Sequence, residues 1–267
     1  MRSSNVASVV AYLGAAAFVI GSAWYGLATK GVTMAAEPVA GPHVPVEEAQ
    51  RRYFAWFVTT LHQERMYVAI AILGFLCLAA TATFVRDLIG RDRPIARIAA
   101  FAVTVGSILW VVGNVAHLGA HRAVGLLSTH DYSTETVSAV GFAFDLVDDA
   151  SEVAGFTALG VGALLFARTS LRGDHRERKW AWFTAALGVG LLVTVASYLF
   201  QSDLTDILLL SIGVILAPAW LVWSGRAIAA LGGSSRPEPT FRDVRPEHVV
   251  PRNREVVPTR DPEEEER

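Results

Sequence analysis

Apolar residues along this chain are gathered into long blocks separated by short clusters of charge. The blocks lie at about 6–27, 66–85, 98–118, 137–167, 181–200 and 207–223. Each is long enough to cross a hydrocarbon layer ~30 Å thick as a helix. A backbone in lipid must satisfy its own N–H and C=O groups, which leaves helices or closed barrels, and continuous apolar runs exclude a barrel. The pattern predicts an all-α membrane protein, a bundle of six transmembrane helices.

Two stretches break the pattern. Residues 29–65 open with Pro38, Gly41, Pro42 and Pro45, then turn amphipathic: Tyr53, Phe54, Trp56, Phe57 and Leu61 oppose Glu47, Glu48, Gln50 and Arg51. This suits an interfacial helix in an outer loop, at the depth aromatic side chains favour; an early start to the second helix, projecting above the membrane, fits equally. Residues 232–267 hold Pro237, Pro239, Pro246, Pro251, Pro258 and Pro262 among alternating Arg and acidic residues, ending in Glu263 to Glu266. Such a segment cannot bury a core, so a disordered cytoplasmic tail is expected, solvated or docking a protein partner.

Charge sets the orientation. Arg86, Arg91, Arg93 and Arg97 surround the second connection, and Arg168, Arg172, Arg176, Arg178 and Lys179 the fourth. Cytoplasmic loops collect Lys and Arg, and the opposite connections carry only Arg122 at 119–136 and none at 201–206. Both termini are therefore expected in the cytoplasm. Lys30, Arg51, Arg52 and Arg65 in the first outer loop run against this rule for the first helix. That helix follows Arg2, and its apolar run exceeds the 7–15 residues of a secretory signal, so it reads as retained.

Composition removes other classes. Hydrophobic residues make up 52% of the 267 and mean hydropathy is +0.39, in keeping with a lipid-bilayer environment. The net charge of −2, with basic residues accounted for by orientation, points to no nucleic-acid surface. Cys77 is the single cysteine, so neither a disulfide framework nor a cysteine metal site is available. Ala17 with Gly21, Ala186 with Gly190, and Gly188 form small faces that permit close helix packing and leave an oligomer open. Pro218 is expected to kink the sixth helix by freeing the carbonyl near Val214.

The chemistry concentrates in one acidic stripe, Asp145-Leu-Val-Asp148-Asp149-Ala-Ser-Glu152, inside the fourth block. Ionisable groups in hydrocarbon are costly and need partners, water or a cation. Asp145, Asp149 and Glu152 share a helix face, with Asp148 beside them. Counted from Ala167 at 1.5 Å per residue, Glu152 lies roughly 22 Å and Asp145 roughly 33 Å from the inner edge. On the third block, counted from Ile98, Asn114 lies roughly 24 Å and His117 roughly 28 Å along, with His121 just beyond. The depths match, and His62 and Glu64 reach the same outer layer.

Like charges this close cannot all stay ionised without a cation or positive residue nearby. A divalent metal, zinc or another first-row transition ion, held by His117, His121, Asp145, Asp149 and Glu152 with His62 as a further donor, is one solution. Protons exchanged with His117 are another. A haem between His62 and His117 or His121 is a weaker third, because carboxylates are unusual in an apolar haem pocket. The structural alternative is a solvated helical turn with Arg65 and Arg122 pairing the remaining charge. Leu118 follows His117 where a zinc protease needs Glu, so that chemistry is not supported.

The run Val-Gly-Ala-Leu-Leu-Phe-Ala ending at Arg168, the basic loop after it and the helix from Trp180 to Phe200 resemble a broad group of uncharacterised six-helix integral membrane proteins of bacteria, mainly actinobacteria. The resemblance implies a bacterial plasma-membrane location and no reaction. The expectation is thus a multi-pass protein with a cation site at its extracytoplasmic end, structural, sensing, transporting or hydrolytic. The rival is a non-catalytic accessory subunit or scaffold working through its tail.

Overall fold

The computed structural model describes residues 3–28, 46–90, 93–128, 130, 132–172, 178–200 and 204–233. The chain divides into Met1–Gly233 and Ser234–Arg267. The expected disordered tail and the Pro/Gly-punctuated stretch 29–45 lie outside the described residues. Within them the chain is helical and contains no strand: α1 Ser3–Ala28, α2 Val46–Gly90, α3 Pro94–Ser128, α4 Thr134–Leu171, α5 Arg178–Leu199, α6 Leu204–Ser211, a π-helical turn Ile212–Leu216, and α7 Ala217–Gly233. Six helical segments are long and apolar enough to cross a membrane, the sixth running through α6, the π-turn and α7. Large apolar side chains cover the outside of the bundle, such as Phe101, Trp182 and Phe200 at 69, 66 and 84% exposure. That is the surface expected of a protein whose solvent is a bilayer.

Local chemistry explains the boundaries. Gly90 ends α2 at φ 136°, a conformation that costs glycine little, and Pro94 opens α3 where its missing N–H is not needed. The Ser133 hydroxyl accepts from the Thr136 N–H and caps α4. Before Pro218 the helix adopts an i→i+5 register, with the Ala217 N–H donating to the Ile212 carbonyl. The proline ring crowds the preceding turn and removes a donor, so the expected kink takes the form of a π-bulge.

Residues 46–64, where an interfacial helix is one expectation, are the first turns of α2. At 45, 35 and 38 residues, α2, α3 and α4 are about 68, 53 and 57 Å long, far more than a ~30 Å layer requires. Packing shows where the surplus lies: Tyr198, near the end of α5, reaches Asp149, and α4 continues for fifteen residues (134–148) beyond that level. Trp56 and Leu127 pack on Val124 and Val137 in a small second core within these extensions.

The tightest helix pair is α3 with α4. A Cβ on Gly106 would stand 2.6 Å from the Gly155 carbonyl oxygen, and one on Gly162 would stand 2.9 Å from that of Ala99. Gly160 and Gly188 repeat the arrangement between α4 and α5, at 3.0 and 2.9 Å from each other's carbonyl oxygens. In lipid, helices associate through such close backbone packing because burial from water offers no drive. Gly106→Leu should therefore force α3 from α4 and destabilise the bundle by roughly 1–3 kcal/mol. Gly119→Ala is the control, since its added Cβ meets only a Phe144 ring carbon at 3.5 Å. Thermal transitions in detergent should fall for the first and hold for the second; equal shifts would remove the glycine contact as the cause.

Candidate functional site

The α3–α4 approach places the acidic stripe against the histidines. Gly113 leaves room for Asp148, whose Oδ1 would be only 2.8 Å from a Cβ at that position. Asp148 Oδ2 lies 3.2 Å from His117 Nδ1, and His117 Nε2 lies 3.0 Å from His121 Nε2. His121 is fully buried, and the two rings sit 4.6 Å apart, centroid to centroid. Asp145, half-buried, is within electrostatic reach of both histidines. Across the bundle the Tyr198 hydroxyl donates to Asp149 Oδ1.

His117, Asp148, Asp149 and Tyr198 meet at a cavity of about 320 Å³ to which every spanning segment contributes. Its polar wall is His117, Asp148, Asp149, Glu152 and Tyr198. Its aromatic wall centres on Phe75, stacked on Trp110 at 3.9 Å and 19°, with Phe18 edge-on at 4.9 Å. Ile212 and Gly213 of the π-turn complete the side facing α1. Asn114 is buried, and its amide donates to the Trp110 carbonyl one turn below.

Charge balance at the site is uneven. No Lys or Arg is among the described residues that line the cavity. Arg65 and Arg122, the cations nearest in sequence, are exposed and make no ion pair with a described acidic residue. Asp148 Oδ1 is buried without a hydrogen-bond partner. Glu152 lies deep among the helices, keeps some accessible surface as a cavity-lining residue, and makes no hydrogen bond or ion pair with any described residue.

The sequence-derived ligand set is thus divided. His117 and His121 are in contact, with Asp145 in electrostatic reach of both, and His117 lines the cavity together with Asp149 and Glu152. The side chain of His62 lies outside the described residues, as does that of Glu64. Among the described residues no group of three or more His, Cys, Asp or Glu side chains converges at metal-ligand spacing. No protein-family model, curated protein or solved structure matches the chain.

Asp148 has a larger place in this geometry than its position beside the Asp145–Asp149–Glu152 face suggests. Its Oδ2 reaches His117 Nδ1 at 3.2 Å, where the glycine at 113 leaves it room. Tyr198 carries no sequence signal, since an aromatic at the end of an apolar block is ordinary interfacial usage. Tyr198→Phe should lower stability by roughly 1 kcal/mol by removing an interhelical hydrogen bond. A double-mutant cycle with Asp149→Asn, read by thermal unfolding, should give clear non-additivity; additive effects would show that the two side chains act independently.

Proposed function

We propose that this is a multi-pass protein of a bacterial plasma membrane, with both termini cytoplasmic, that binds a divalent cation at the extracytoplasmic end of its bundle through His117 and His121. One observation carries the reading: two imidazole Nε2 atoms 3.0 Å apart, with the opposite nitrogen of His117 held by a carboxylate. Two nitrogens on one tetrahedral zinc are about 3.3 Å apart, from Zn–N distances near 2.05 Å. Ligating histidines characteristically donate their other N–H to a carboxylate, which fixes the ring and raises its basicity. Asp148 has that relation to His117, and Asp145 is a further oxygen donor in electrostatic contact with both rings. The basic residues at the α2–α3 and α4–α5 connections support the orientation.

The complementary hydrogen bonding of the same groups favours a second reading, proton transfer. With Nδ1 of His117 donating to Asp148, its Nε2 accepts from the His121 Nε2–H, and the chain ends at a carboxylate on the cavity wall. A cation between the two Nε2 atoms and the proton they share are alternatives for one position.

Metal analysis separates the two. The purified protein should take up about one zinc or manganese per chain. His117→Ala and His121→Ala should abolish uptake, and Asp148→Asn should weaken it about 10–100-fold. A wild type that stays metal-free after incubation with either ion would overturn the metal reading. In the proton-transfer reading, proteoliposomes loaded with a pH dye should show proton movement that Asp148→Asn removes and chelators leave untouched. Movement unchanged in Asp148→Asn would exclude this relay.

A further inference from the structure

The cavity holds more than the histidine pair explains. Its ~320 Å³ far exceeds the space one metal ion fills and reaches the range of small-molecule pockets, roughly 300–1,000 Å³. Glu152, deep and without a hydrogen bond or ion pair to any described residue, lines it within electrostatic reach of His117, and Asp149 on the same wall accepts from Tyr198 through Oδ1. The remaining wall includes the Phe75–Trp110 stack with Phe18 edge-on.

These walls select a ligand class by exclusion. Three carboxylates, with His117 the only basic side chain in the described lining, disfavour an anion. A neutral apolar guest would fill the aromatic side and leave the buried Glu152 carboxyl without a polar partner, an arrangement low-dielectric surroundings penalise. A hydrated inorganic ion would answer the charge and leave stacked aromatic faces against water. An ammonium on a compact apolar body satisfies both walls, since aromatic faces attract cations as well as apolar groups. The π-turn at Ile212–Leu216 contributes Ile212 and Gly213 to the cavity, and such turns recur at binding sites because they displace one turn of helix from its regular register.

We infer that this cavity binds a small organic cation, with Glu152 and Asp149 as its counter-charges and the Phe75–Trp110 pair as its apolar seat. The inference is independent of the metal proposed at His117 and His121. Either can hold without the other.

The test is titration calorimetry on the full-length protein in detergent with two probes, benzylammonium and tetramethylammonium, against benzyl alcohol as the neutral counterpart of the first. At least one cation should bind saturably, with benzyl alcohol at least tenfold weaker than benzylammonium. Glu152→Gln and Asp149→Asn should each weaken cation binding at least tenfold, whereas His121→Ala should leave it within twofold while abolishing metal uptake. Size-exclusion profiles and thermal transitions select the variants that fold; should neither acidic variant do so, Trp110→Leu, which keeps the charges and removes the aromatic seat, should weaken binding at least fivefold. Absence of saturable binding by both cations in folded wild type overturns the inference, as does benzyl alcohol matching benzylammonium or unchanged affinity in the folded variants. Loss of metal uptake with cation binding intact overturns the histidine-site reading alone.

Discussion

Contact between α3 and α4 at glycine distance is the constraint on which the site depends. At Gly106 and Gly155 the two backbones come so close that neither position accepts a side chain without displacement. The same approach continues two turns along, where Gly113 admits Asp148 and so brings a carboxylate to His117. Separation by even a methyl group would lengthen a 3.2 Å contact beyond hydrogen-bond reach, because both partners are short side chains on rigid helices. Packing and chemistry are therefore set by the same surface.

Elsewhere many of the described polar side chains are satisfied within the bundle. The hydroxyls of Thr81, Ser107, Thr184 and Thr194 return to carbonyls four residues back in their own helices. The Trp180 indole donates to Ser224 and the Trp220 indole to Thr184, which ties α5 to α7 through two buried hydrogen bonds. Ser197 and Thr205 join across the α5–α6 turn at 3.1 Å. Glu152 and the Oδ1 atom of Asp148, which has no hydrogen-bond partner, belong instead to a cavity that every spanning segment helps to build.

The level of the site follows from helix length. The α5 helix ends close to the height of Asp149, while α4 continues beyond it and packs with α2 and α3 around a small core at Val124 and Val137. The carboxylates thus lie at the step where α5 ends and α4 continues. Such a step shelters charge from lipid on several sides and still leaves a route to water, a compromise that an ionisable group in a membrane protein requires.

The six apolar helical segments were legible in the sequence, because lipid demands a continuous run of apolar residues and a helix satisfies its backbone locally; neither requirement needs knowledge of neighbours. The histidine spacing at 117 and 121 and the acidic stripe were legible for the same reason, as was their common depth, which follows from a fixed rise per residue. Which carboxylate meets the histidine was not. Helical periodicity grouped Asp145 with Asp149 and Glu152, yet rotation of α4 against α3, decided by where glycines permit contact, turned Asp148 toward His117 and Asp149 and Glu152 toward the cavity. The partnership of Tyr198 with Asp149 and the stack of Phe75 on Trp110 join residues on different helices, well beyond the reach of helical periodicity. Those contacts depend on interhelical rotation and register, quantities that local pattern does not encode and only the packed bundle decides.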